Sequence, residues 1–249
     1  MKSAYDGCVV VRDVDAKLLN ALSTRLVEMG YRGAAFSTSN PRTAKALRKI
    51  LRKLVSETGL DLAARLELAT TDRAFAKRVL RKYRRSFELI SIQPDSRAMA
   101  SFACRDRRVD IVTLNPARYV PLYRGDWEYL REEEKLVEVR VYPLLAAADA
   151  LIAAKLLGTY SLWIAGAPKT MLNRFVVTSG APSLRYLLTP FGLLDVAVML
   201  GLPGPGFEVI TEKVEINRDK ISGIIPVPGV RILRRGNDAR EGEEKVRAD

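Results

Sequence analysis

The side chains best placed for chemistry follow the short apolar runs of the chain. Thr178, Ser179, Gly180 and Ala181 come directly after Phe175, Val176 and Val177. A run of that kind suits a strand buried on both faces, and in α/β folds the site lies at the strands' C-terminal ends. Ser37, Thr38, Gln93, Asn115, Arg140 and Tyr142 hold the same position after other runs. In a barrel enzyme this ring would be the active site, with Arg140 and the Ser179-Gly180 backbone holding a phosphate. The competing expectation is a vestigial mouth filled by its own hydrogen-bonded side chains. The chain has no histidine, which removes Ser-His and Cys-His catalysis and the usual transition-metal ligand. No pair of carboxylates falls at adjacent strand ends, which weakens any acid–base scheme. Lys155 lies in an apolar helical run, whereas a Schiff-base lysine of a barrel enzyme would sit at a strand end. It reads as a buried stem with its amine near the surface.

A second kind of chemistry is binding. Lysine and arginine number 41 against 29 acids, a net charge of +12, and such an excess implies a polyanionic partner, most often nucleic acid. The charge is concentrated in two helical segments. One carries Arg42, Lys45, Arg48, Lys49, Arg52 and Lys53; the other carries Arg73, Lys77, Arg78, Arg81, Lys82, Arg84 and Arg85. Acids are nearly absent from both, so helical pairing at i,i+4 does not account for the charges, and RNA contact through phosphates is the expectation. Arg118, Tyr119, Tyr123 and Arg124 mix rings and cations as a base-stacking surface does; the alternative is a loop packed on its own aromatics. Cys8 and Cys104 are too few for a disulfide framework or a zinc site and fit a reducing cytoplasm.

The elements that must position these groups alternate in type. Strands are expected over residues 5–11, 33–36, 62–68, 87–92, 109–114, 136–141 and 175–177, with an eighth within 207–216. Helices fall between them: one after Asp13, one opened by Asn40-Pro41, one by Thr70-Thr71-Asp72, and one over 184–200 interrupted at Pro190. The apolar run over 144–165 contains Asp149 and Lys155, which disfavour a membrane span and favour a helix buried in protein. Repeated strand–helix units with short links predict an α/β, TIM-like barrel of seven to eight parallel strands with outer helices. Residues 1–233 would form a single domain, followed by a charged, disordered tail over 234–249.

With the strands placed, the chain resembles ribonuclease P protein component 3, an archaeal and eukaryotic family with a barrel fold related to the histidine-rich PHP phosphoesterases. The marks are YDGCVVV at the start, GYRGAAFST, RLEL over 65–68, FELISIQP over 87–94, VDIVTLN over 109–115, VEVRVYPLL over 137–145, and FVVTSGA over 175–181 ahead of LLDVAVMLGLP. The family's arginine before a proline in the seventh helix is not matched: Leu188 precedes Thr189-Pro190. Without histidine, the metal site of the related phosphoesterases is not expected either. The resemblance implies a cytoplasmic subunit of the ribonucleoprotein that removes the 5′ leader from precursor tRNA. In that enzyme the RNA component carries the chemistry and uses magnesium, and this chain would bind no cofactor of its own. Its partners would be ribonuclease P RNA, protein component 2 and the other protein subunits, with precursor tRNA met indirectly and no membrane. A phosphorylated-substrate barrel enzyme and a general RNA-binding module are the alternatives.

Overall fold

The computed structural model describes residues 4–223. Seven strands form one all-parallel sheet in sequential order: β1 (Tyr5–Val10), β2 (Gly33–Thr38), β3 (Asp61–Leu68), β4 (Leu89–Ile92), β5 (Ile111–Thr113), β6 (Leu136–Arg140) and β7 (Phe175–Thr178). The helices are α1 (Ala16–Glu28), α2 (Ala44–Thr58), α3 (Arg73–Tyr83), α4 (Arg97–Arg105), α5 (Arg124–Glu132), α6 (Tyr142–Leu145), α7 (Ala150–Ala165), α8 (Pro190–Met199) and α9 (Phe207–Ser222). The local signals act as their chemistry dictates. Asp15, Asp72 and Asp149 cap α1, α3 and α7 through side-chain oxygens that accept backbone N–H groups. Pro190 opens α8 instead of interrupting a longer helix, because its missing N–H is not needed in a first turn.

The sheet nearly closes on itself between β1 and β7, where the contact differs from that between the other neighbours. The backbone link is a single parallel bridge, Val9 with Ala181, in which Val10 N–H donates to the Ala181 carbonyl at 2.9 Å. The register of β1 shifts between Asp6 and Val9. The Asp6 carboxylate spans the seam instead, accepting from the Ser179 hydroxyl, from the Ser179 N–H at 3.2 Å and from the Cys8 N–H at 3.1 Å. Burial pushes the Asp6 pKa up to about 6, against the opposing pull of the Ser179 hydrogen bonds.

Inside the barrel, Tyr5, Ala35, Ala63, Leu89, Ile111, Leu136 and Val176 form an apolar layer that packs on Ile210 and Val214 of α9. Residues 207–216 are therefore not an eighth strand. They belong to a helix that plugs the N-terminal end of the barrel, with Asn217 donating to the Glu88 carbonyl and Arg218 to the Leu62 carbonyl, each at 2.8 Å. Gly7 makes this plug possible: a Cβ there would lie 2.1 Å from the Ile210 Cδ1. Between the barrel and its outer helices lies the larger core, including Phe36, Leu66, Ile90, Val112, Val139 and Val177.

The basic helix α3 buries Ala76, Val79 and Leu80, while Phe75 is exposed. One helical expectation changes. The apolar run at α7 is not a buried helix: it buries Tyr160 and Trp163 and leaves Leu151, Ile152 and Leu162 on the surface. Lys155 is exposed as well. No helix among the described residues is long and apolar enough to cross a membrane. The tail expected over 234–249 lies outside the described residues.

Candidate functional sites: a filled barrel mouth and a basic outer face

The period of two along a strand puts Arg65 and Glu67 on one side of β3, and Glu138 and Arg140 on one side of β6. Their neighbours Leu66, Val137 and Val139 face the outer helices, so the four charges point into the barrel. Arg65 is fully buried. All five of its N–H donors find acceptors: two on Glu138 at 2.6 and 2.5 Å, the Gly7 carbonyl at 2.8 Å, Ser91 Oγ at 3.1 Å and Thr113 Oγ1 at 3.3 Å. Glu138 also accepts from Thr113 at 2.7 Å, from Thr178 at 2.9 Å and from the Arg140 Nε–H at 3.1 Å. Arg140 then reaches Glu67 at 2.8 Å through Nη1. Burial alone would raise the Glu138 pKa; the guanidiniums of Arg140 and Arg65 outweigh it and hold the carboxyl well below the usual range. Glu67 is lowered in the same way, burial being overcome chiefly by Arg140.

This layer corrects the strand-end ring. Thr178 lies within the network as a donor to Glu138, Ser179 and Ala181 belong to the seam, and Thr38 faces Thr43 at 3.4 Å. None of these four lines the mouth. Ser37, Gln93, Asn115, Arg140, Tyr142 and Gly180 do come together there, around a cavity of about 460 Å³. The carboxylates absent from the expected ring are Glu67 and Glu138, both paired with arginine, and Glu67 also lines this cavity. Among the described residues, no group of three or more histidine, cysteine, aspartate or glutamate side chains is placed to hold a metal ion. Burial pushes the Cys8 thiol up to about 12, so it is not a nucleophile at neutral pH.

The outer face is arranged on the opposite principle. Of the thirteen basic residues singled out on α2 and α3 and at their ends, eleven are exposed and two, Arg48 and Arg84, are half-buried. Those two reach inward to acids at the bottom of the barrel, Arg48 to Glu88 at 2.9 Å and Arg84 to Asp110 at 3.0 Å. Lys53 faces Glu57 at 3.5 Å, a surface pair of small energetic consequence. Arg42, Lys45, Lys49, Arg52, Lys77, Arg78, Arg81 and Arg85 are in no ion pair among the described residues. Between α2 and the end of α3, a cleft of about 500 Å³ is walled by Arg42, Lys45, Lys49 and Arg52, with Tyr83 and Ser86 opposite. The aromatic loop is more self-contained. Tyr119 packs on Trp163 with centroids 4.8 Å apart, Arg97 sits 4.2 Å over Tyr123, and Arg124 pairs with Glu128.

A nearly closed barrel of seven parallel strands, with paired charges in its interior and a basic outer face, defines a TIM-like α/β protein. The family model for RNase P subunit p30 matches residues 3–206, and the chain belongs to that family, whose role is that of a subunit in tRNA 5′ processing. A chain of an archaeal ribonuclease P, solved by cryo-EM with mature tRNA, superposes with a TM-score of 0.66 at 15% identity, covering 92% of this chain and 98% of that one. More distant barrels include a D-allulose 3-epimerase from Methylomonas sp., with a TM-score of 0.41 at 12% identity over 82% and 84% of the two chains. Another is an uncharacterized amidohydrolase from Saccharomyces cerevisiae, at 0.39 and 10% over 90% and 95%. No curated protein matches the chain.

Proposed function

We propose that this chain serves ribonuclease P as a scaffold for its RNA, working together with protein component 2 and the other protein subunits, and carries no chemistry of its own. The observation that carries the reading is the contrast between the two sets of cations. The barrel interior, where a barrel enzyme would keep free acids and bases, has its four charges locked to one another, while the α2–α3 face leaves its cations open to a polyanion. Each phosphate neutralised there releases counterions, so RNA affinity falls with salt, by roughly 0.7 to 0.9 log units per log unit of salt for each contact. Magnesium would act at the RNA. The archaeal ribonuclease P chain of the same fold, solved with mature tRNA, supports placing the protein next to RNA.

A second surface suits a protein partner. α7 and α8 follow neighbouring strands, and Leu151, Leu162, Phe191, Val198 and Met199 are exposed there, each by more than half. Apolar side chains in such number on outer helices mark protein–protein contacts, and we assign this face to protein component 2. On the same helix as Leu162, Tyr160 and Trp163 turn inward, Tyr160 donating to the Arg140 carbonyl and Trp163 to the Val120 carbonyl.

The test is leader cleavage of precursor tRNA by the cognate ribonuclease P RNA with protein component 2, at moderate magnesium, with and without this chain. The chain is expected to raise the rate or lower the magnesium requirement. No effect there, together with no binding to the RNA or to component 2, would overturn the proposal. A metal-dependent phosphatase or aldolase activity of the lone chain would overturn it in favour of a barrel enzyme.

A further inference from the structure

The network in the barrel leaves two polar groups unfilled. Arg140 donates through Nε to Glu138 and through Nη1 to Glu67, but its Nη2 is buried with no hydrogen-bond partner among the described residues, and so is the Ser37 hydroxyl. Both residues line the cavity of about 460 Å³ at the C-terminal mouth, and they are 9% and 1% exposed. A buried guanidinium nitrogen without an acceptor costs stability unless something supplies one. Every other guanidinium nitrogen of Arg65 and Arg140 has an acceptor in the network. Among these guanidinium nitrogens, Arg140 Nη2 alone lacks an acceptor among the described residues, and it belongs to a residue that lines the cavity.

The charges say what would fill it. In the polar layer, Arg65 and Arg140 balance Glu67 and Glu138. Above it Arg12 lines the same cavity, exposed and in no ion pair among the described residues. Glu67, the acid that also lines the cavity, is held by Arg140. The site therefore carries an excess of one positive charge, together with neutral donors from Ser37, Gln93 and Asn115. Gly180 contributes by its shape: its φ is +59°, and a Cβ there would come within 3.1 Å of the Arg140 side-chain carbons. Its bare backbone lets the β7 loop press the Arg140 stem into place. The apolar remainder, Val10, Leu114 and Leu156, offers a contact for more than a bare ion. A volume in this range accepts a ligand of nucleotide size.

We infer that the barrel mouth is a binding site for a phosphate group, held by Arg140, Arg12 and Ser37, in a ligand as large as a nucleoside monophosphate. The inference concerns binding only and stands apart from what the α2–α3 face does. The phosphate could belong to a free small molecule or to the 5′ end of an RNA, and the experiment separates them.

The full chain is titrated with inorganic phosphate and with a nucleoside 5′-monophosphate at constant ionic strength, and backbone amide shifts are followed by NMR. Saturable shifts are expected at Ser37, Arg12 and Gly180. Ser37→Ala and Arg12→Gln should each weaken binding about tenfold, the worth of one charge-assisted hydrogen bond. Neither substitution touches the buried ion pairs, so both variants should fold, whereas an Arg140 variant would break two of those pairs. Arg78→Gln/Arg81→Gln, on the outer face, should leave these shifts unchanged. A short RNA with a 5′-phosphate that competes, when its 5′-hydroxyl counterpart does not, assigns the source to RNA ends; competition by neither assigns it to small molecules. Absence of saturation at the mouth, or binding lost in the outer-face variant and kept in Ser37→Ala and Arg12→Gln, overturns the inference.

Discussion

Arg65 and Arg81 carry the same charge under opposite constraints. Arg65 is sealed in the barrel with every donor matched; Arg81 lies on α3, exposed, with other cations along the same helix. A buried charge survives only when its desolvation is offset by partners in good geometry. An exposed one needs no partner, and a row of them without acids is held together only by the fold beneath it. The interior arginines therefore act on stability, and under the proposed function the outer ones act on association. A network of this kind keeps its acids and its guanidiniums engaged with one another.

The comparison is broken most severely from the inside. Arg65→Met leaves Glu138 buried with one guanidinium in place of two and strips donors from Ser91, Thr113 and the Gly7 carbonyl. Loss of one partner of a buried pair costs about 3–5 kcal/mol, which a urea unfolding midpoint reads directly. Because the outer face is untouched, whatever chain remains folded should bind RNA with an unchanged salt slope. A loss below about 1 kcal/mol would mean that water reaches the layer and that the pairing is not what holds it.

The seam gives the next largest effect, and its sign differs from that of the network. The Asp6 pKa is raised from 3.8 to about 6 in the folded chain. An acid whose folded pKa is raised favours the fold while it is protonated. Its contribution is fully present below about pH 4 and is lost as pH rises through about 6, a change of about 3 kcal/mol for a shift of about two pKa units. Glu67 and Glu138, with lowered values, contribute in the opposite sense, losing stabilisation in acid. Subtraction isolates the seam. Relative to the Asp6→Asn variant, which keeps the networks, the natural chain should lose about 3 kcal/mol between about pH 4 and pH 7. A difference independent of pH would show that the Asp6 carboxylate is not held away from water.

How far the sequence foretells these regions depends on which interactions are local. The strands, their order and the barrel class follow from short apolar runs separated by capped helices, and β1 to β7 lie where those runs do. The basic stripes are equally plain, since charge needs no partner to be seen. The eighth strand fails because Phe207, Val209 and Ile210 read as an apolar run, while the contacts that make α9 a plug come from Tyr5, Gly7 and Leu89, far away in the chain. The interior network escapes for a subtler reason. Its charges lie in strand interiors and not at strand ends: RLEL and VEVR each alternate a charge with an apolar residue. In a sheet whose outer face is covered by helices, that alternation can only turn the charges inward. Opposite charges two apart on two strands are the available signal for Arg65–Glu138 and Glu67–Arg140. No local pattern marks Asp6 and Ser179 as partners, because the seam joins the first strand to the last.

The finest test lies within the basic stripe itself, where Arg48 and Arg84 combine both roles. Each is half-buried and bonded to an acid that is nearly sealed, Glu88 and Asp110, yet Arg48 belongs by sequence to the basic row of α2 and Arg84 continues that of Arg78 and Arg81. If partnership decides a cation's work, Arg48→Gln and Arg84→Gln should each cost about 1–3 kcal/mol of stability, the penalty for an acid left with one bond fewer. The salt slope of RNA binding should hardly move. Arg78→Gln and Arg81→Gln should do the reverse: stability within about 0.5 kcal/mol of the natural chain, and a salt slope shallower by roughly one for each phosphate no longer neutralised. The two readouts, a urea midpoint and a plot of log affinity against log salt, are independent. Residues that moved both together would show that the face is shaped by the acids beneath it, and that the RNA reads positions the interior ion pairs hold in place.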